Sequence, residues 1–157
     1  MSNSSITGGK SGNITKYKET DINKLIDIWY NGSITAHHFI DKDYWKSQKK
    51  DMKEKYIPMS ETYVISNKKE VIGFVSMVDD YLAALFIDGN HQGYGYGKKL
   101  LNFVKEQRNS IQLKVYKKNE NAVNFYLKNG FVLNEELINE PTSEEELLME
   151  WSKITKN

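Results

Sequence analysis

Hydrophobic residues recur along the chain with two alternating periods. Spacings of three and four residues, as in Ile22, Leu25, Ile26 and Trp29, are typical of an amphipathic helix. Short apolar or alternating runs that are bounded by turn-forming residues are typical of strands. The helical pattern predicts helices over residues 21–30, 34–56 (with a break near 41–43), 98–108 and 119–129. The strand pattern predicts strands at residues 14–17, 61–66, 70–78, 81–87, 111–116, 131–138 and 145–151.

Local signals refine these boundaries. We expect Thr20 to cap the first helix, Pro58 to end the second helical region and Gly130 to follow the last helix as its left-handed residue. Residues 81–87 are almost entirely apolar and are expected to form the most buried strand. Because strands and helices are mixed, with no repeat and no linker between them, the expected fold class is α+β around one sheet.

Composition narrows the class of protein. The chain has 157 residues, which suits one domain, and 22 basic against 21 acidic residues give a formal net charge of +1. This balance predicts no nucleic-acid or membrane partner. The absence of cysteine excludes disulfides, thiolate metal sites and a cysteine nucleophile, and three histidines do not make a metal site.

The N-terminal residues differ in composition from the rest. Residues 1–13 are rich in Ser, Gly and Asn and are expected to form a flexible leader, followed by one domain over residues 14–157. The leader has no hydrophobic region of the secretory kind, and no apolar run is long enough to span a bilayer. We therefore expect a cytoplasmic protein.

A glycine-rich loop separates the apolar strand at 81–87 from an amphipathic helix. The loop contains Gly93, Gly95 and Gly97, and Lys98 follows directly. A helix N-terminus carries unpaired N–H groups and partial positive charge, and glycines let a phosphate approach that backbone, so the pattern predicts anion binding. The alternative is a loop whose glycines only make turns. The dinucleotide and P-loop fingerprints are not met, whereas Q-x-x-G-x-G is met from Gln92 onward.

A second pattern, N-x-x-A-x-x-F-Y-x-x-x-G-F, runs from Asn119 to Phe131. A capped helix with a core tyrosine would explain this segment alone. Both patterns together, in this order and each following a strand, resemble motifs A and B of the GCN5-related N-acetyltransferase (GNAT) superfamily. The likeness is greatest to a group of small bacterial acetyltransferases and covers residues 14 to about 151.

The resemblance implies a fold, an activity and a cofactor. The implied fold is a single GNAT-like α+β domain, with a mixed, mostly antiparallel sheet that is flanked by helices and splayed at the acetyl-CoA site. The implied activity is N-acetyl transfer with acetyl-CoA (coenzyme A) as the cofactor. Carried over residue by residue, the cofactor-binding positions are the strand residues Leu85, Phe86 and Ile87, the loop residues Gln92, Gly93, Tyr94, Gly95, Tyr96, Gly97 and Lys98, and the helix residues Asn119 and Phe125.

The resemblance also implies roles in catalysis. The amine would attack the thioester directly in a ternary complex, and Tyr126 matches the position of the general acid that protonates departing coenzyme A. A tyrosine that only packs against the cofactor is the alternative. No glutamate stands at the start of the cofactor strand, so the base stays open among Asp80, His37 and His38. With Tyr30, these residues are also the candidates for contacts with the acceptor.

Several alternatives stay open on the sequence alone. The acceptor is a small-molecule or peptide amine, the acyl-chain preference is undetermined, and the protein is a monomer or a homodimer. A non-catalytic coenzyme A-binding sensor or interaction module would keep the fold and the loop. An acyltransferase that uses a different acyl donor would differ only in the volume around Phe86, Phe125 and Tyr126.

Overall fold

The structure is a computed structural model that describes residues 12–153. Most of the predicted leader, residues 1–11, lies outside the described residues, as do residues 154–157. Asn13 already belongs to the first strand. Among residues 12–153, no helix is long and apolar enough to cross a membrane.

One seven-stranded sheet organises the fold, in the order β1-β2-β3-β4-β5-β7-β6. Its strands are β1 (Asn13–Lys16), β2 (Glu61–Asn67), β3 (Glu70–Val78), β4 (Tyr81–Ile87), β5 (Ser110–Tyr116), β6 (Val132–Asn139) and β7 (Glu144–Ser152). All neighbours are antiparallel except β4 and β5, which are parallel. The α+β class and the mixed sheet are confirmed, and each predicted strand is present with its ends within one residue of the prediction.

Helices cover both faces of the sheet. They are α1 (Ile22–Ala36), α2 (Lys42–Ser47), α3 (Lys49–Asp51), α4 (Ile57–Met59), α5 (Tyr96–Lys105) and α6 (Glu120–Lys128). A π-helical turn, Met52–Tyr56, joins α3 to α4, and 3-10 turns precede α1 and α5 at Glu19–Asp21 and Gly89–His91. Side chains of α1 and α2 form the core on one face, and side chains of α5 and α6 form the core on the other.

Two predicted helix boundaries are wrong. Thr20 does not cap α1, because it lies inside the 3-10 turn and Asp21 occupies the N-cap position. The helix also runs on to Ala36, past a glycine and a serine that end the apolar pattern. Gly32 lies so close to β4 that a Cβ there would be 2.7 Å from Phe86 Cδ1, and Ser33 is fully buried. A tight helix–sheet contact therefore takes the place of an apolar stripe.

Pro58 and β4 also differ from expectation. Pro58 lies in the first turn of α4, where the missing N–H costs nothing, and does not end the helical region before it. The most buried strand is β3, in which Ile72 to Met77 are all buried, whereas β4 is only partly buried. The predicted end of α6 is confirmed, because Gly130 follows it with φ +90°.

Candidate active site

Strands β4 and β5 diverge soon after they meet. They share one register pair, Tyr81 with Gln112, and the Gln112 N–H donates to the Asp80 carbonyl at 3.0 Å. Beyond this point the strands separate around a cleft of about 1480 Å³. Its walls are the C-terminal end of α1, residues 37–39, β4, the glycine loop, β5 and the first half of α6. This volume exceeds the ~300–1,000 Å³ of a typical single-ligand pocket, which suits two substrates held together.

The glycine loop closes one end of the cleft. Gly93 and Gly95 have φ of +86° and +85°, which side chains rarely adopt, and Gly95 is the N-cap of α5. The N–H groups of the first turn of α5 have no intrahelical acceptor and lie at the cleft wall. Gln92 Nε2 donates to the Ile87 carbonyl at 3.1 Å, so this side chain braces the loop. An anion can therefore be bound by backbone groups, with Lys98 on the same wall.

The two tyrosines of the loop, Tyr94 and Tyr96, differ in where their side chains lie. Tyr96 lines the cleft, but its side chain is only 4% exposed and belongs to the core beneath α5. Tyr94 is 63% exposed and is not on the cleft wall. We therefore expect the backbone of this segment and the side chain of Lys98 to make its contacts with a ligand.

The cleft-facing edge of β4 forms the long wall. On its other edge, Leu85, Phe86 and Ile87 pair with β3. Because β5 has diverged, the backbone groups that point away from β3 lack a strand partner and are available to an extended ligand. The structure therefore brings these three residues together with the glycine loop.

Tyr126 and Phe125 contribute the α6 side of the cleft. The Tyr126 ring lies 5.2 Å from the Phe125 ring and 5.3 Å from the Phe131 ring, centroid to centroid. Only 8% of Tyr126 is exposed, and burial raises the pKa of its phenol well above the usual range. The phenol is therefore protonated at neutral pH while it stays on the cleft wall.

His37 and Asn119 join the two sides of the cleft. Asn119 Oδ1 accepts from the Ala122 N–H at 3.3 Å and caps α6, so its amide Nδ2 faces His37 Nε2, also at 3.3 Å. His37 must accept in this bond and is therefore neutral. Burial lowers the pKa of His37 to about 4, although the Ser33 carbonyl opposes this shift. His37 thus orients Asn119, while His38 is exposed at the cleft rim.

The opposite end of the cleft is lined by aromatic side chains and includes a glutamate. Phe39, Trp45 and Tyr116 surround His37, and Glu146 lies on the wall beside them. Burial raises the pKa of Tyr116 to about 12. Tyr116 and Glu146 are not among the residues predicted from the sequence. The alternation along β7, in which Leu147 and Met149 are buried, is the signal that assigns Glu146 to the opposite face.

Two of the predicted acceptor-site residues lie away from the cleft wall. Tyr30 lies on α1, and Lys49 Nζ of α3 is 3.9 Å from the centre of its ring. Asp80 is in the β3–β4 turn, with Arg108 Nε 3.8 Å from its carboxylate. Neither residue lines the cleft.

Comparisons with known proteins find one family model and several relatives that are similar to this chain. Residues 58–133 match the model of the acetyltransferase (GNAT) domain. Peptidyl-lysine N-acetyltransferase YiaC of Escherichia coli K12 is 28% identical over 119 residues, which are 75% of this chain and 82% of that protein. Peptidyl-lysine N-acetyltransferase YjaB of Salmonella typhimurium is 28% identical over 120 residues, 76% of this chain and 82% of that protein.

Solved structures share the fold. Apo YjaB from Escherichia coli superposes with a TM-score of 0.79 at 23% identity, over 89% of this chain and 97% of that one. PaiA N-acetyltransferase from Thermoplasma acidophilum, solved in complex with coenzyme A, gives 0.76 at 20% identity, over 90% and 99%.

The splayed sheet and the glycine loop before α5 define an acetyltransferase fold of the GNAT type. The match to the GNAT domain model and the YiaC relative agree with the resemblance to the GNAT superfamily found in the two motifs. The matched domain is an acetyltransferase domain, two relatives are named N-acetyltransferases, and PaiA was solved with coenzyme A. The residues present fit that cofactor, because the positive-φ glycines expose a helix N-terminus and β4 offers an unpaired edge.

Proposed function

We propose that this enzyme acetylates a primary amine by direct attack in a ternary complex, with Tyr126 as the general acid. The observation that carries the proposal is the buried, protonated phenol of Tyr126 on the wall of a cleft with two distinct ends. One end offers the backbone groups for acetyl-CoA. The other end leaves room for an acceptor at the same time, and the chain has no cysteine to carry a covalent acyl intermediate.

The acetyl-CoA end of the cleft consists of backbone groups and of two side chains on the α6 side. The N–H groups at the start of α5 bind the pyrophosphate, with Lys98 as the nearby cation, and the free edge of β4 binds the extended arm. Asn119 and Phe125 contact the arm from the α6 side, and His37 holds Asn119 in position. Acetyl-CoA supplies the acetyl group as a thioester.

Tyr126 moves one proton in the transfer. The amine nitrogen bonds to the acetyl carbon, the carbon–sulfur bond breaks, and the Tyr126 Oη proton goes to the departing sulfur. The nitrogen gives its excess proton to a base or to water, and the phenol is reprotonated from solvent. A phenol is a weaker acid than a thiol, and burial raises the pKa of Tyr126 further. The same apolar surroundings make a departing thiolate more basic, which offsets part of this difference.

The acceptor class follows from the relatives and from the cleft. YiaC and YjaB are named peptidyl-lysine N-acetyltransferases, and the lysine side chain is an aliphatic primary amine. We propose a lysine side chain, or an amine that resembles it, as the acceptor. Of the three candidate bases, Asp80 lies off the cleft and the Nε2 of His37 is engaged by Asn119, so His38 is the candidate that remains exposed to an incoming amine.

Steady-state kinetics of Tyr126→Phe test the proposal. With acetyl-CoA and a lysine-containing peptide, wild-type initial rates should give intersecting double-reciprocal lines, as a ternary complex requires. The Tyr126→Phe variant should lose about 10²-fold in kcat because its general acid is missing. Its affinity for acetyl-CoA, measured by calorimetry, should be unchanged.

A matched control is Tyr56→Phe. Tyr56 is 49% exposed and lies off the cleft, so this variant loses a phenol without touching the site. It should keep the wild-type kcat. Parallel double-reciprocal lines would contradict the ternary complex, and full turnover by Tyr126→Phe would remove Tyr126 from the acid role.

A further inference from the structure

Glu146 faces the aromatic end of the cleft because of the register of β7. It pairs directly with Tyr116 of β5, so the two side chains project from the same face of the sheet. Both line the cleft, whereas the neighbours Glu145 and Leu147 project to the opposite face. Glu146 Oε1 accepts from Asn139 Nδ2 at 3.2 Å, which fixes the carboxylate in place.

The charge of Glu146 is unbalanced, unlike that of its two neighbours. Glu144 pairs with Lys118 at 3.3 Å, and Glu145 approaches Lys117 at 4.0 Å. Within residues 12–153, no lysine or arginine forms an ion pair with Glu146. Lys114 and Lys118 also line the cleft, but Lys118 is already matched by Glu144.

The phenols around Glu146 do not supply a positive charge. Phenols of Tyr44, Tyr81 and Tyr116 surround it. Burial raises the pKa of each of these phenols, and the negative charge of Glu146 raises it further. These side chains therefore stay neutral. A fixed carboxylate beside neutral aromatic rings is suited to an ammonium ion, which is attracted by both.

We propose that Glu146 recognises the positively charged acceptor amine and makes the enzyme select cationic, lysine-like acceptors over neutral ones. This inference rests on the proposed function and assigns its acceptor end. The carboxylate, which projects beside Tyr116 at the cleft wall, binds the amine as an ammonium ion before it is deprotonated for attack. Glu146 acts in binding and specificity, and the proton on sulfur still comes from Tyr126.

Glu146→Gln removes the charge and keeps the shape. The glutamine oxygen can still accept from Asn139, so the fold around it is preserved. For a lysine-containing peptide, we expect KM to rise about tenfold, the effect of losing one charge-assisted contact. For hydroxylamine, which is uncharged at neutral pH, kcat/KM should be unchanged once the rate without enzyme is subtracted. Calorimetry should give an unchanged acetyl-CoA affinity.

Glu145→Gln is the matched control, since it removes one carboxylate from the same strand but from the other face. It should leave KM for the lysine peptide at the wild-type value. If Glu146→Gln also leaves it there, or if activity toward both acceptors falls equally, the specificity role is overturned. These outcomes differ from failure of the proposed function, in which the wild-type enzyme transfers no acetyl group to either acceptor.

Discussion

The two ends of the cleft are built on different principles. At the glycine-loop end, the groups that face a ligand are mostly backbone N–H and C=O groups, from one loop and one strand that are contiguous in sequence. At the aromatic end, the groups are side chains from residues as distant as Phe39, Trp45, Tyr116 and Glu146. A backbone site depends on local conformation, and a side-chain site depends on how the strands are paired.

This difference separates the two functions of the enzyme. A site made of backbone suits a cofactor that never changes, because few substitutions alter it. A site made of side chains can be changed one residue at a time, which suits the selection of a particular acceptor. Four substitutions or measurements test this division, and we expect the largest effect at the backbone end.

Gly95→Glu should abolish acetyl-CoA binding. Gly95 has φ +85°, a conformation that costs a non-glycine residue roughly 1–2 kcal/mol, and the new carboxylate would stand where the phosphates bind. We expect affinity to fall by more than about 10²-fold in calorimetry, since strain and repulsion add.

The control for that change is Gly89→Ala. A Cβ at Gly89 meets no atom within 4 Å and its φ is not positive, so the added methyl group is tolerated. This variant should bind acetyl-CoA as wild type does. Retained affinity in Gly95→Glu would mean that the loop does not bind the pyrophosphate.

His37 should make the stability of the fold depend on pH. Its pKa is about 4 in the folded protein and about 6.5 when unfolded, so the unfolded chain binds the extra proton between these values. The free energy of unfolding should therefore be highest above pH ~6.5 and fall by roughly 2–3 kcal/mol as pH drops toward ~4. Urea unfolding across this range measures the slope.

The matched variant is His37→Gln, which cannot titrate. Its unfolding free energy should fall less steeply between the same pH values, although it starts lower because a buried side chain has been replaced. An equally steep fall in the variant would show that His37 is already charged in the folded protein or that other groups account for the loss.

Asn119→Ala should destabilise α6 and its contact with His37. The change removes the N-cap of α6 and the partner of His37 Nε2, at a cost of about 1–2 kcal/mol in unfolding free energy. Asn119→Ser keeps a capping oxygen without the amide donor and should lose about half as much, roughly 0.5–1 kcal/mol. Equal stability of all three proteins in thermal unfolding would remove the capping role.

Asp80→Asn should have the smallest effect. The carboxylate is 67% exposed and 3.8 Å from Arg108 Nε, so it contributes less than about 1 kcal/mol to stability. It also lies off the cleft, so kcat with a lysine-containing peptide should stay close to wild type. A large loss of kcat with intact stability would return Asp80 to the role of base.

The same division explains what could be predicted from the sequence. The strand boundaries follow from apolar alternation, and the glycine loop and the Asn119 cap follow from short local patterns. The length of α1 does not, because Gly32 packs against β4 and Ser33 is buried without an apolar stripe. The limited burial of β4 follows from its divergence from β5, which is a property of the sheet rather than of the strand.

Glu146 shows the limit most clearly. In the sequence it is the last of three consecutive glutamates, which are typical of a solvated surface. Only the register of β5 and β7 places it opposite Tyr116, while its neighbours pair with Lys117 and Lys118. Local patterns predict the glycine-loop end, and strand pairing determines the aromatic end.

Parallel calorimetric titration of wild type, Glu146→Gln and Gly95→Glu with acetyl-CoA tests this division most directly. We predict saturable binding at one site with equal affinity for the first two proteins, and no measurable binding for Gly95→Glu. Loss of acetyl-CoA binding in Glu146→Gln, or its retention in Gly95→Glu, would contradict the division of the cleft into a donor end and an acceptor end.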